Sequence, residues 1–156
     1  MSEETVIATP WPGVRVLARS AGELDPYDTA NAHRFRGEEA FAPDVAGWKR
    51  WSKPSPEPPL DEHFRTLVLT AIAQRAGTIH ALVNALAEAV QGSLTEPPLL
   101  VAILRAGLPV SVLLARCLEQ QLGAPVPVVA LSLFAGWGWD EAALLAALRT
   151  HPNRPV

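Results

Sequence analysis

The stretch LLVAILRAGLP, Leu99 to Pro109, decides the fold. It opens with an unbroken apolar run of strand length, the pattern of a strand covered on both faces. Arg105, Ala106 and Gly107 break the run, and Pro109 falls where a first helical turn accepts a residue without an N–H. Val110, Leu113, Leu114, Cys117 and Leu118 then recur along one helical face, Leu122 extends it, and Gly123 ends it. A second apolar run, Pro125 to Phe134, predicts another strand. The loop Gly136-Trp137-Gly138-Trp139 follows it. Asp140 and Glu141 open a last helix through about Arg149, Pro152 closes it, and Pro155-Val156 reads as the onset of a further strand.

Strand, helix, strand, helix, strand onset is the order of a βαβ fold. The expected class is therefore α/β, with an incomplete open, mostly parallel sheet and flanking helices. In such sheets ligands sit beyond the carboxyl ends of the strands, which singles out the loops at 105–108 and 135–140.

Upstream, residues 61–91 read as helix. Asp61 is the N-cap, Glu62 favours the dipole, and Phe64, Leu67, Val68, Ala71 and Ile72 mark an apolar face. Ile79, Leu82, Val83, Leu86 and Val90 resume it beyond Gly77, which either kinks one helix or separates two; Gly92 supplies a stop. Pro54 to Pro59 is a stiff linker. Residues 1–60 lack sustained periodicity apart from Val14 to Ala18, read as one edge strand. The expected division is an irregular extension with a proline-rich linker over 1–60 and the α/β domain over 61–156.

With 49% apolar residues in 156, the chain can bury the core of one domain. A net charge of −3 gives no pull toward nucleic acid or anionic membrane. The N-terminus has no apolar leader and no apolar run reaches bilayer length, so a cytoplasmic protein without a membrane partner is expected. One cysteine excludes an internal disulfide and a multi-cysteine zinc site. His33, His63, His80 and His151 show no zinc spacing, so no metal ligands are predicted.

Two loops carry candidate chemistry. At Arg105, Ala106, Gly107 and Leu108 a strand gives way to a helix, so backbone N–H groups and the helix dipole can meet a phosphate or pyrophosphate, with Arg105 adding a bidentate contact. The same residues also suit a plain tight turn with its arginine in solvent. In the second loop, with Gly136 and Gly138, Trp137 and Trp139 either stack on a base or pack over the sheet edge. Asp140 either holds a sugar hydroxyl or caps the helix behind it.

The string VAILRAGLPVSVLLARCL, Val101 to Leu118, resembles the pyrophosphate-loop region of type I phosphoribosyltransferases. From Leu100 to Val156 the order of motifs is similar to a narrower group: phosphoribosyltransferase-like domains of tellurium-resistance and stress gene clusters, some of them labelled cysteine protease StiP. The resemblance rests on Leu104 to Pro109, Val126 to Phe134, Gly136 to Asp140 and His151-Pro152. It implies binding of phosphoribosyl pyrophosphate or pyrophosphate and of a base or nucleotide. Arg105 would be the catalytic residue, and magnesium would arrive with the ligand rather than be tightly held. The acidic strand and Thr-Gly loop that would complete such a site do not occur by Val156, so this chain is expected to be truncated and catalytically incomplete. The alternative is a non-catalytic nucleotide-binding or interaction module whose exposed edge at 126–134 pairs with a partner chain. A cysteine protease is the third reading. Cys117 lies in an apolar stripe with no base close in sequence, so it reads as buried and inert. Trp48 to Lys53 mixes basic and aromatic residues and reads as a loop or a packing tryptophan pair rather than a nucleic-acid patch.

Overall fold

The computed structural model of the chain describes residues 5–18, 25–36, 51–52, 59–104, 106–134 and 138–156. The main sheet has four strands, β1 (Thr5–Ala8), β2 (Val14–Ala18), β5 (Leu100–Ile103) and β6 (Val128–Leu131), in the order β1-β2-β6-β5. β2 and β5 both run parallel to β6, and β1 pairs antiparallel with β2. The sheet is therefore mixed, not mostly parallel as expected. The reason is local: Pro10 to Gly13 turns the chain back, so β1 and β2 form a hairpin instead of a crossover. Gly13 takes a positive φ of 78° at that turn, a conformation that favours glycine. Val14 to Ala18 thus lies inside the sheet rather than at its edge. β6 is also interior, which removes the free edge expected at 126–134.

Two small pairings flank this sheet. β3 (Phe35–Arg36) runs parallel to β4 (Trp51–Ser52), and β7 (Leu133–Phe134) runs antiparallel to β8 (Gly138–Trp139). Trp48 to Arg50, Lys53 and most of the proline-rich linker lie outside the described residues.

Among the described residues there are three α-helices, α1 (Glu62–Ser93), α2 (Gly107–Leu122) and α3 (Glu141–Thr150); α2 and α3 cover the sheet and α1 packs on α2. Each sits where the sequence pattern puts it. Asp61 caps α1, its carboxylate accepting from the Phe64 N–H, and Asp140 caps α3 in the same way through Ala143 N–H at 3.0 Å. Gly123 ends α2 in the left-handed conformation, φ 65°. Gly77 does not divide α1, and Gly92 does not stop it; the helix runs through both to Ser93.

Every residue of β6 is buried, and the two faces serve two cores. Val128 and Ala130 join Val112, Leu114, Ala115 and Leu118 of α2 and Ala87 of α1. Val129 and Leu131 join Leu17, Leu99 and, from α3, Ala143 and Ala147. This is the two-faced covering expected from unbroken apolar strands. Leu99 N–H donates to Pro155 O at 2.8 Å, so the last residues reach the outer edge of β5 by a single backbone bond.

α1 departs from the expected packing. Its apolar face was read as core, yet Phe64, Leu67, Val68, Ile72, Ile79, Leu82 and Leu86 are exposed, and Ala87 is its one buried residue. By length and composition α1 could also cross a membrane, contrary to the expectation that no segment is long enough.

Stability should track these burials. Leu118 is fully buried in the α2 core, so Leu118→Ala should cost about 3–4 kcal/mol in urea unfolding, from lost transfer energy and the cavity left behind. Leu145 is half exposed on α3, and Leu145→Ala should cost under about 1 kcal/mol.

Candidate functional site

The helix junction between α1 and α2 holds a polar chain inside an otherwise apolar contact. The Cys117 thiol donates to Asn84 Oδ1 at 3.1 Å, and Asn84 Nδ2 lies 2.9 Å from His80 Nε2. Asn84 and His80 are neighbours because they stand four apart on α1, one helical turn. Cys117 comes from α2, 33 residues on, and reaches them because Leu114, Ala115 and Leu118 seat α2 against Ala87 and Val90 of α1. Cys117 and Asn84 are half-buried and His80 is exposed. With Nδ2 donating, Nε2 is the unprotonated ring nitrogen and the imidazole proton sits on Nδ1.

The amide has a donor at one end and an acceptor at the other, which lets it serve two charge states. In the neutral state the thiol gives its hydrogen to Oδ1 and Nδ2 gives one to the imidazole. A half-turn of the amide exchanges these roles. Nδ2–H then faces a thiolate and Oδ1 accepts from an imidazolium. Cys117 lies past the middle of α2, where its own N–H is spent within the helix, so the polar partners of the sulfur come from α1.

This arrangement corrects the reading of Cys117 as buried. The sulfur is only half-buried, and it is bonded to an amide that in turn meets an imidazole. The His80/Asn84 spacing was present in the sequence, but nothing in it pointed to a thiol on another helix.

The residues singled out in the sequence are not gathered in this way. Arg105, Gly136 and Trp137 lie outside the described residues. Ala106 is exposed in helical conformation (φ −65°, ψ −30°) at the start of α2 with no side-chain cap, and Leu108 packs against the α2 core. Gly107 has room for a Cβ, with no neighbour closer than 3.8 Å. Gly138 and Trp139 belong to the β7–β8 hairpin, where Trp139 is exposed, and the Asp140 carboxylate is spent on its helix cap. Among the described residues no group of three His, Cys, Asp or Glu side chains could hold a metal ion. An open cleft at the β1–β2 hairpin, lined in part by Thr9, Trp11 and Arg15, includes none of the predicted site residues.

The molecule is thus a small α/β protein with a thiol–amide–imidazole chain at a helix junction. Residues 47–156 match the family model described as tellurite-like stress resistance cysteine protease StiP, and the chain belongs to that stress-resistance family. No curated protein and no solved structure matches it. The match overturns the phosphoribosyltransferase function expected from the resemblance, because the family is described by cysteine-protease chemistry. A strand-to-helix turn with arginine and glycine is too common a junction to carry a donor-binding assignment alone.

A second group of ionisable residues lies by the segments that lead into β5 and β6. Arg154 Nη1 donates to Pro97 O at 3.3 Å and Pro125 O at 3.0 Å, tying together the approaches to β5 and β6. His151 sits beside it, its pKa held below the ordinary imidazole value of 6.5 by burial first, then by Arg154 and Arg15. Folding therefore favours neutral His151. Its contribution to stability is complete above pH 6.5 and is lost as pH falls through the folded-state pKa. NMR titration should place His151 below 6.5, and His151→Gln should reduce the decline in urea stability between neutral pH and about pH 5.

Proposed function

We propose that this chain acts as a cysteine-protease-type acyl-transfer protein in which Cys117 is the nucleophile, His80 the general acid–base and Asn84 the positioning group between them. The observation that carries this reading is the pair of contacts through Asn84, 3.1 Å to the Cys117 sulfur and 2.9 Å to the His80 ring. Cys117 is the chain's single cysteine, so any thiol chemistry within these residues falls to it. The description of the family supports the same chemistry.

An amide does not relay a proton between its two ends. The thiol proton therefore reaches His80 through solvent, which the exposed ring meets directly. The resulting thiolate and imidazolium are both held by Asn84 once its amide has turned. The thiolate then attacks a peptide carbonyl carbon; the S–C bond forms as the carbonyl π pair moves to oxygen. When that pair returns, the C–N bond breaks and His80 protonates the departing amine. Water, losing its proton to His80, cleaves the thioester and restores the thiol.

Hydrolysis of a fluorogenic peptide library by the full chain tests the assignment. Cys117→Ala should lower kcat/KM at least ~10³-fold and His80→Ala ~10²-fold. Asn84→Ala should lower it about tenfold. Alkylation of Cys117 by iodoacetamide near neutral pH should slow several-fold in His80→Ala. Hydrolysis that survives Cys117→Ala overturns the proposal. So does an absence of hydrolysis together with alkylation that ignores His80.

A further inference from the structure

The exposed face of α1 follows a pattern of its own. Val68, Ile72, Arg75, Ile79, Leu82 and Leu86 recur in alternating steps of four and three residues, the spacing of a coiled-coil seam. The five apolar members are each 40% to 67% exposed. Of the residues α2 engages, Asn84 and Ala87 lie on an adjacent flank, and Val90 lies beside the C-terminal end of the seam. Packing α2 onto α1 therefore leaves the seam open along the helix. Phe64, Leu67 and Leu69 add exposed apolar surface at its N-terminal end.

We infer that this seam binds a second copy of the chain, α1 against α1, antiparallel and centred at the level of Gly77. Eight large apolar side chains at about half exposure leave on the order of 700 Å² per copy, close to the ~800 Å² per partner of a standard stable interface. A monomer rarely leaves so large a contiguous patch open. The register follows from self-complementarity. Antiparallel pairing sets Val68 against Leu86 of the second copy and Ile72 against Leu82 of the second copy. Arg75 then meets Ile79 of the second copy, its stem lying on an aliphatic side chain while the guanidinium reaches solvent. A parallel pair would stack Arg75 on Arg75. The contact is isologous and closes at two copies.

A lipid bilayer fits the same face less well. Arg75 would lie near the middle of the hydrocarbon, and the C-terminal half of α1 is fastened to the α/β body through Ala87, Val90 and the Cys117–Asn84 bond. His80 and Asn84 lie off the seam, so pairing leaves the thiol site open and the inference stands independently of the function proposed above.

Sedimentation velocity on the full chain should show a dimer at micromolar concentration. Ile72→Glu with Leu82→Glu should weaken it ~100-fold or more, with the helical circular dichroism retained. In a Cys117→Ser background, mixing Val68→Cys protein with Leu86→Cys protein should give a disulfide-linked pair under mild oxidation, and neither protein should link to itself. A wild-type monomer at high concentration, a dimer indifferent to the glutamates, or Val68→Cys linking to itself overturns the inference. A monomer that floats with phosphatidylcholine–phosphatidylserine vesicles also overturns it, by assigning the face to lipid.

Discussion

Burial of β6 on both faces is the constraint on which the rest of the molecule depends. Its four residues leave no side chain in solvent, so each face must be covered and each edge paired. β2 and β5 take the edges, α2 takes the face of Val128 and Ala130, and α3 takes the face of Val129 and Leu131. The cover on the α2 side is held at its end by Glu119, which accepts from Val126 N–H at 3.2 Å just before β6 begins and from the Arg116 guanidinium at 2.9 Å. Arg116 in turn donates to Pro12 O at 3.3 Å, so the register of α2 is tied both to β6 and to the β1–β2 turn.

That seating fixes where Cys117 points. Leu114, Ala115 and Leu118 are committed to the core, and Cys117 sits beside them against α1 rather than against the sheet. A polar atom in such a contact is tolerated only if it has a partner, since an unpaired one costs about 1–3 kcal/mol. Asn84 supplies the partner, and no buried side-chain nitrogen or oxygen among the described residues goes unsatisfied. A half-buried thiol with a satisfied hydrogen bond and an exposed imidazole one step away combines a fixed position with access to solvent. Both are needed for a nucleophile that must hold still and exchange its proton.

The helices α1, α2 and α3 and the strands β5 and β6 were legible because their signals are local, whereas the β7–β8 hairpin was not. Asp61 and Asp140 mark helix starts by their own chemistry, Gly123 marks an end, and unbroken apolar runs mark β5 and β6. What was not legible is tertiary. The alternation in Val14 to Ala18 says strand, but its interior place depends on pairing with β6 more than a hundred residues later. Cys117 fits an apolar stripe perfectly well by spacing, and nothing in α2 alone shows that its neighbour is an asparagine on α1. The Arg105–Gly107 turn carries two meanings in the sequence. Its residues suit an anion loop, yet a strand entering a helix selects similar residues for geometric reasons alone. The mixed sheet has the same cause as the hidden strand, a hairpin in a stretch whose sequence carries little period.

The length of α1 is the one large feature that β6 does not explain. At 32 residues it is twice as long as α2, and its helix axis runs on the order of 48 Å, while the core claims Ala87 and Val90 near one end. Helix propensity does not account for the rest, because an isolated helical stretch of this kind is marginal in water and gains most of its stability from a packed face. Residues 63–87 also carry no acid, and their only full charges are Arg65 and Arg75. A solvated face would be expected to carry more charge, and of both signs. The first two-thirds of α1 therefore has the composition of a covered helix and, within one chain, the exposure of an uncovered one. The conflict disappears if a second α1 supplies the cover, and the thiol site on the neighbouring flank then stands on a helix held from both sides.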